Sequence, residues 1–173
     1  NLYADVVKHG YHSTCGNIGY RHLFYALSDY GYTDAVVKIL TNPEYPGWGH
    51  MIANGATTVW ERWESEMQNE MHSFDHPMFG SYDAWLYHYL GGIAVDEDAF
   101  AADKITIKPY IATDIDFVEC SFETLRGKIV SNWKKQADGS VTYHVEVPAM
   151  TTATIEIGGE KRTVGCGAYD FKY

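Results

Sequence analysis

The hydrophobic period of this sequence changes once, near residue 97, and that change restricts the chain to folds in which a helical part precedes a β part. Upstream, Tyr20, Leu23, Phe24, Leu27 and Tyr30 recur at helical spacing from Asn17 to Tyr30, and Gly31 supplies a left-handed stop. Thr33 is placed to cap a short second helix through Val36, Val37, Ile39 and Leu40, which Asn42-Pro43 ends. Ser81 is placed to cap a third, with Tyr82, Trp85, Leu86, Tyr89 and Leu90 on one face and Gly91-Gly92 at its end. Pro43 to Gly80 reads as a long loop-rich stretch. Downstream, Ile105 and Ile107, then Ile129, Ser131 and Trp133, then Tyr143, Val145 and Val147, then Ala153, Ile155 and Ile157 alternate with their neighbours at period two. Asp138-Gly139 and Gly158-Gly159 are hairpin-turn signals between such runs. About six or seven short strands in so short a segment read as a small antiparallel sandwich. The expected domains are 1–97, helical, and 98–173, a β-sandwich.

Charge divides the chain at the same place. Residues 1–97 carry 4 Lys/Arg against 12 Asp/Glu, while residues 98–173 carry 9 against 11. The total of −10 argues against a nucleic-acid partner, whose phosphates need cationic neutralisation. No apolar run approaches the ~18 residues of a membrane-spanning helix. A chain this long buries roughly 70% of its unfolded surface, so it can fold without disulfides or a structural metal. Cys15, Cys120 and Cys166 are widely spaced and form no C-x-x-C pair, which suits reduced thiols. The chain opens at Asn1 with no Met and no signal-peptide pattern, so a fragment or a processed chain is expected.

Chemistry-bearing residues are densest from Trp48 to His76, where Trp48, His50, Trp60, Glu61, Arg62, Trp63, Glu64, Glu66, Glu70, His72, Asp75 and His76 gather. Flat rings beside carboxylates suit a sugar, whose C–H faces pack on aromatics and whose hydroxyls need fixed polar partners. Hydrolysis of a glycosidic bond needs two carboxyl groups, one acid and one base or nucleophile. Rings at such spacing are more often core packing than a ligand platform, and the residues alone leave both readings open. His72 and His76, spaced i, i+4 with Asp75 and Glu61 to hand, have the look of a metal pair. Pro77 turns His76 away from helical geometry and there is no H-E-x-x-H, so no metal is expected. There is no G-x-S-x-G elbow, and Gly16-x-x-Gly19 lacks the strand and the Lys-Ser/Thr of a phosphate loop.

The run from Asn54 to Glu64, N-G-A-T-T-V-W-E-R-W-E, resembles the G-A-T-T-[IV]-W-E-R-W-[DE] signature of bacterial alpha-L-rhamnosidases. Ser73 to Ser81, S-F-D-H-P-M-F-G-S, is similar to that family's S-[FH]-N-H-x-x-[FY]-G-[AS], and Tyr45-Pro46-Gly47-Trp48-Gly49 to its Y-P-S-W-[GL] loop. Trp85 to Ile93 resembles the helix that follows, and Ile107-Lys108-Pro109, Gly127 to Trp133 and Val147 to Ala153 resemble its C-terminal sandwich. The resemblance keeps its order over nearly the whole chain. It implies the last helices of an (α/α)6 barrel followed by a small antiparallel β-sandwich.

The resemblance further implies an inverting glycoside hydrolase that removes alpha-L-rhamnose, in which Glu61 is the general base, His76 contacts the sugar, and Trp63, Trp60 and Trp48 line the pocket. It implies a carbohydrate substrate, no cofactor, and a periplasmic or extracellular place of work. Two departures bear on which sugar or linkage is preferred: Asp75 stands where the family has Asn, and the segment between Glu64 and Ser73 is short. The family's general acid lies in an upstream acidic motif that has no counterpart here. The isolated 173 residues are therefore expected to be inactive and to need the missing N-terminal part of the same polypeptide. Exposed faces of a partial barrel should also cause self-association. The competing reading is a non-catalytic carbohydrate-binding module that uses the same aromatics.

Overall fold

Tyr20, Leu23, Phe24 and Leu27 lie on one stripe of α2 (Asn17–Asp29), and all four are buried. That stripe organises the first of two compact units, Asn1–Trp85 and Leu86–Tyr173. The computed structural model describes residues 1–12, 14–64 and 73–173. Ahead of α2, the short α1 (Leu2–Lys8) is started by Asn1, whose side-chain oxygen accepts the Ala4 N–H at 2.9 Å. The α2 stripe ends sooner than its spacing predicts: Tyr30 is the C-cap residue and is 82% exposed. Gly31 takes φ +85° as expected, and the Tyr32 N–H reaches back to the Leu27 carbonyl at 2.8 Å.

In α3 (Thr33–Thr41), Tyr32 occupies the cap position, and Thr33 is the buried first residue rather than the cap. Asn42 leaves the helix in an extended conformation, as a residue before proline must. The stretch read as loop then yields α4 (Trp48–Ala53). It packs so closely that a Cβ on Gly49 would lie 2.2 Å from the Asn42 carbonyl oxygen. The third expected helix forms in pieces: a 3₁₀ turn over Pro77–Ser81, α5 (Tyr82–Trp85), then a π-helical turn over Leu86–Leu90. Ser81 ends the 3₁₀ turn instead of capping a helix, and Pro77 starts it. Trp85 is fully buried and donates its indole N–H to Ser28 Oγ at 2.8 Å.

The second unit is a sandwich. One sheet has the order β1 (Ile93–Val95), β2 (Lys104–Ile107), β7 (Thr152–Ile157), β8 (Glu160–Val164). The other has the order β3 (Phe117–Val118), β5 (Gly127–Lys135), β6 (Val141–Val147), β9 (Gly167–Lys172), with β4 (Ser121–Thr124) also paired to β5. All pairs are antiparallel except β2 with β7, which is parallel. The period-two residues face inward as expected: Ile105, Ile107, Ile129, Tyr143, Val145, Ala153 and Ile155 form the core. Both predicted hairpins form, with Gly139 at φ +83° and Gly158-Gly159 at +61° and +80°. Trp133 is 2% exposed and donates to the Leu90 carbonyl at 2.9 Å, so it belongs to this core and is no surface platform. Gly92, at φ +67°, sits where a Cβ would come within 2.1 Å of the Pro109 nitrogen.

Candidate active site

Of the residues singled out by the sequence, Trp60, Glu61, Trp63, Glu64, Asp75 and His76 lie on two segments, 58–64 and 73–76, that run beside each other in the first unit, and Trp48 and His50 lie on α4. The two segments are held together by the Glu61 N–H to the Ser73 carbonyl (2.9 Å), the His76 N–H to the Val59 carbonyl (2.8 Å), and the Thr58 hydroxyl to the Phe74 carbonyl. Glu61 and His76 are thus fixed by their own backbones on facing segments. The Glu61 carboxylate has a second tie. Its Oε2 accepts the Ser73 N–H at 2.7 Å, and Oε1 has no hydrogen-bond partner among the described residues. Ser73 is itself pinned, because its hydroxyl donates to the Asp75 carbonyl (2.9 Å) and accepts the Asp75 N–H (3.0 Å). Asp75 is exposed.

His76 is half-buried, and its Nδ1 is buried with no partner among the described residues. Trp63 is half-buried, 4.0 Å from the Phe79 ring and 5.0 Å from that of Trp48. Trp48 and Trp60 are each 5% exposed. Trp48 donates to the Phe79 carbonyl at 3.0 Å and packs edge-on against Tyr20, while Trp60 packs edge-on against Phe74. The structure therefore puts Glu61 and His76 on paired backbones, packs the half-buried Trp63 against Trp48 and Phe79, and buries Trp48 and Trp60.

Sequence reasoning missed two members of this region. Ser73 was noticed only as part of a motif, and its tie to Glu61 is a backbone contact that no side-chain pattern signals. Tyr45 donates its hydroxyl to Glu64 Oε1 at 2.9 Å, and that bond to a carboxylate pushes the Tyr45 hydroxyl above the ordinary tyrosine range. His72, Glu66 and Glu70, considered for metal or acidic roles, lie outside the described residues. Among the described residues no three His, Cys, Asp or Glu side chains gather as a metal site would need. No helix among them is long and apolar enough to cross a membrane.

Residues 1–90 match the model of the bacterial alpha-L-rhamnosidase six-hairpin glycosidase domain, and residues 92–168 match that of the bacterial alpha-L-rhamnosidase C-terminal domain. The chain belongs to the bacterial alpha-L-rhamnosidase family. An alpha-L-rhamnosidase of Streptomyces avermitilis is 31% identical over 162 residues, which are 90% of this chain and 15% of that protein. One from an Alteromonas species is 31% identical over 93% of this chain and 20% of its own length. The solved alpha-L-rhamnosidase of Aspergillus terreus superposes with a TM-score of 0.89 at 30% identity, over 98% of this chain and 20% of that one. The Streptomyces avermitilis enzyme, solved with L-rhamnose, superposes equally well at 27% identity, over 99% of this chain and 19% of that one. The chain thus spans about a fifth or less of the rhamnosidases it matches. Its helical part and its sandwich are the fold that the resemblance implied.

Proposed function

We propose that this chain is part of a glycoside hydrolase that removes terminal alpha-L-rhamnose with inversion, and that Glu61 is its general base. The observation that carries the assignment is the asymmetric engagement of the Glu61 carboxylate. One oxygen is fixed by the Ser73 N–H at 2.7 Å, and the other carries no hydrogen bond from the described residues. A general base in an inverting enzyme needs such an arrangement: one oxygen that sets the orientation, and one that takes the proton from water. The acid that protonates the leaving oxygen stands roughly 6.5–9.5 Å away across the sugar. It comes from the part of the polypeptide that the relatives possess beyond the region matched here. His76 hydrogen-bonds a sugar hydroxyl, and Trp63 offers its ring to the sugar's apolar face. Trp48 and Trp60 act through packing that keeps the Trp63 and Glu61 segments in place.

The test compares Glu61→Gln with wild type in the longer polypeptide that carries this chain. Aryl rhamnoside turnover should fall by about 10²–10⁴-fold, the scale of acid–base assistance, while L-rhamnose binding is retained. Wild-type binding of rhamnose with no turnover would instead establish a non-catalytic binding module. The isolated 173 residues should show no turnover. A measurable rate from them would place both carboxyl groups within this chain.

A further inference from the structure

The outward side of the five-stranded sheet carries a groove of about 390 Å³ that the proposed hydrolysis does not use. It lies wholly within the second unit. Strand register sets its composition. Phe117 is paired with Lys134, which is paired with Thr142; in the next row Asn132 is paired with His144, which is paired with Asp170. Paired residues share a face, and Trp133 and Tyr143, one position away, point into the core. The groove is therefore what the polar half of the alternation builds on top of the sandwich core.

Three features distinguish it from an ordinary solvated face. First, Phe117 is 57% exposed on a two-residue strand, so a large ring is presented to solvent beside polar groups. Second, the groove keeps donors and acceptors unspent. Asn132 accepts the Cys120 N–H at 2.9 Å through its side-chain oxygen, and its amide N–H groups have no acceptor among the described residues. The Lys134 ammonium and the Glu119 carboxylate, which also line the groove, have no partner there either. Third, the far wall is rigid: His144 is held between Asp170 (2.8 Å at Nδ1) and Glu146 (3.2 Å at Nε2). Both signs are present, with the Lys134 ammonium and the Glu119 and Asp170 carboxylates all lining the groove, so no concentration of positive charge marks it for an anion.

From this chemistry we infer that the groove is a second carbohydrate site, taking a neutral oligosaccharide whose C–H face packs on Phe117 and whose hydroxyls meet Asn132, Lys134 and Glu119. Its volume falls in the usual range for small-ligand sites. The site is independent of Glu61; only the sugar chosen as probe rests on the function proposed above.

The experiment is saturation-transfer NMR on the 173-residue chain with an alpha-L-rhamnosyl oligosaccharide, a ligand-observed method that tolerates self-association. Four proteins are compared: wild type, His76→Ala, Phe117→Ala and Lys134→Ala. Transfer should persist in His76→Ala and should weaken about ten-fold in affinity in Phe117→Ala, the scale of a lost ring contact. Lys134→Ala, an exposed change away from the core, should weaken it as well and guards against a folding defect at Phe117. Transfer that disappears in His76→Ala and is unchanged in Phe117→Ala and Lys134→Ala overturns the groove while leaving the rhamnosidase reading intact. No transfer in wild type overturns the groove too, because the rhamnosidase reading is judged separately by turnover in the longer polypeptide.

Discussion

Ser73 is the residue that fixes the carboxylate proposed above as the base. Its amide orients the Glu61 carboxylate, and its hydroxyl locks the turn that aims this amide. Ser73→Ala removes the lock and leaves the amide. In the longer polypeptide it should lower kcat up to about ten-fold with little change in KM, the scale of one net hydrogen bond. An unchanged kcat would mean that the turn holds without the hydroxyl. A second residue-scale prediction concerns Glu156, which Lys108 (2.8 Å) and Lys161 (2.7 Å) engage from either side. Its hydrogen bond with Lys108, followed by that with Lys161, pulls its carboxyl down to about 2 from the ordinary 4.5. A carboxyl depressed in the folded state adds stability above its unfolded pKa and loses it as pH falls through its folded value. The stability difference between wild type and Glu156→Gln should therefore be full above about pH 4.5, shrink between pH 4.5 and 2, and vanish below. Denaturation midpoints measured across that window check this, and a flat difference would contradict it.

At the scale of the element, close approach and buried polar contacts decide where segments stop and meet. Gly49 lets α4 lie against the end of α3, since a Cβ there would meet the Asn42 carbonyl oxygen at 2.2 Å and its carbon at 2.7 Å. Gly49→Ala should cost about 1–3 kcal/mol, as overpacking against backbone does, and a chemical denaturation curve would show it. Trp133 plays the corresponding part in β5, where its indole N–H satisfies the Leu90 carbonyl from within the core. Trp133→Phe keeps most of the ring but strands that acceptor, at a cost of about 1–3 kcal/mol. Equal stability of the variant would show that Leu90 finds another donor. These contacts also mark the limit of local reading. The α2 stripe and the four long alternating runs were legible because burial follows period. Apolar spacing predicts one helix over 81–90, yet after the 3₁₀ turn that ends at Ser81 the segment forms as α and π pieces, with the Gly91 N–H reaching the Leu86 carbonyl at 2.9 Å. Nothing in its apolar spacing distinguishes a fifth-residue bond from a fourth-residue one.

For the whole molecule, the exposed apolar residues carry a prediction of their own. Ile18 and Ile52 are each 71% exposed in the first unit, and Phe100, Leu125 and Met150 are 79%, 93% and 82% exposed in the second. The chain spans a fifth or less of the relatives it matches, and apolar surface that the rest of such a protein would cover favours association, so the 173-residue chain should sediment as oligomers at micromolar concentration. A single monomeric boundary would rule that out. The sequence by itself determined the order of a helical part and a sandwich, the core faces of their long elements, both glycine turns of the sandwich and, through its motifs, the family. Those features are local, set by period, backbone freedom and residue identity, and they survive without knowledge of the partner segment. Only the tertiary structure decided that Ser73 holds Glu61, that Trp48, Trp60 and Trp133 are buried, that β2 and β7 run parallel, and that Phe117 stands over an outward groove. Each of these depends on which distant backbone lies opposite a given residue, and one chain's pattern of residue types does not encode that.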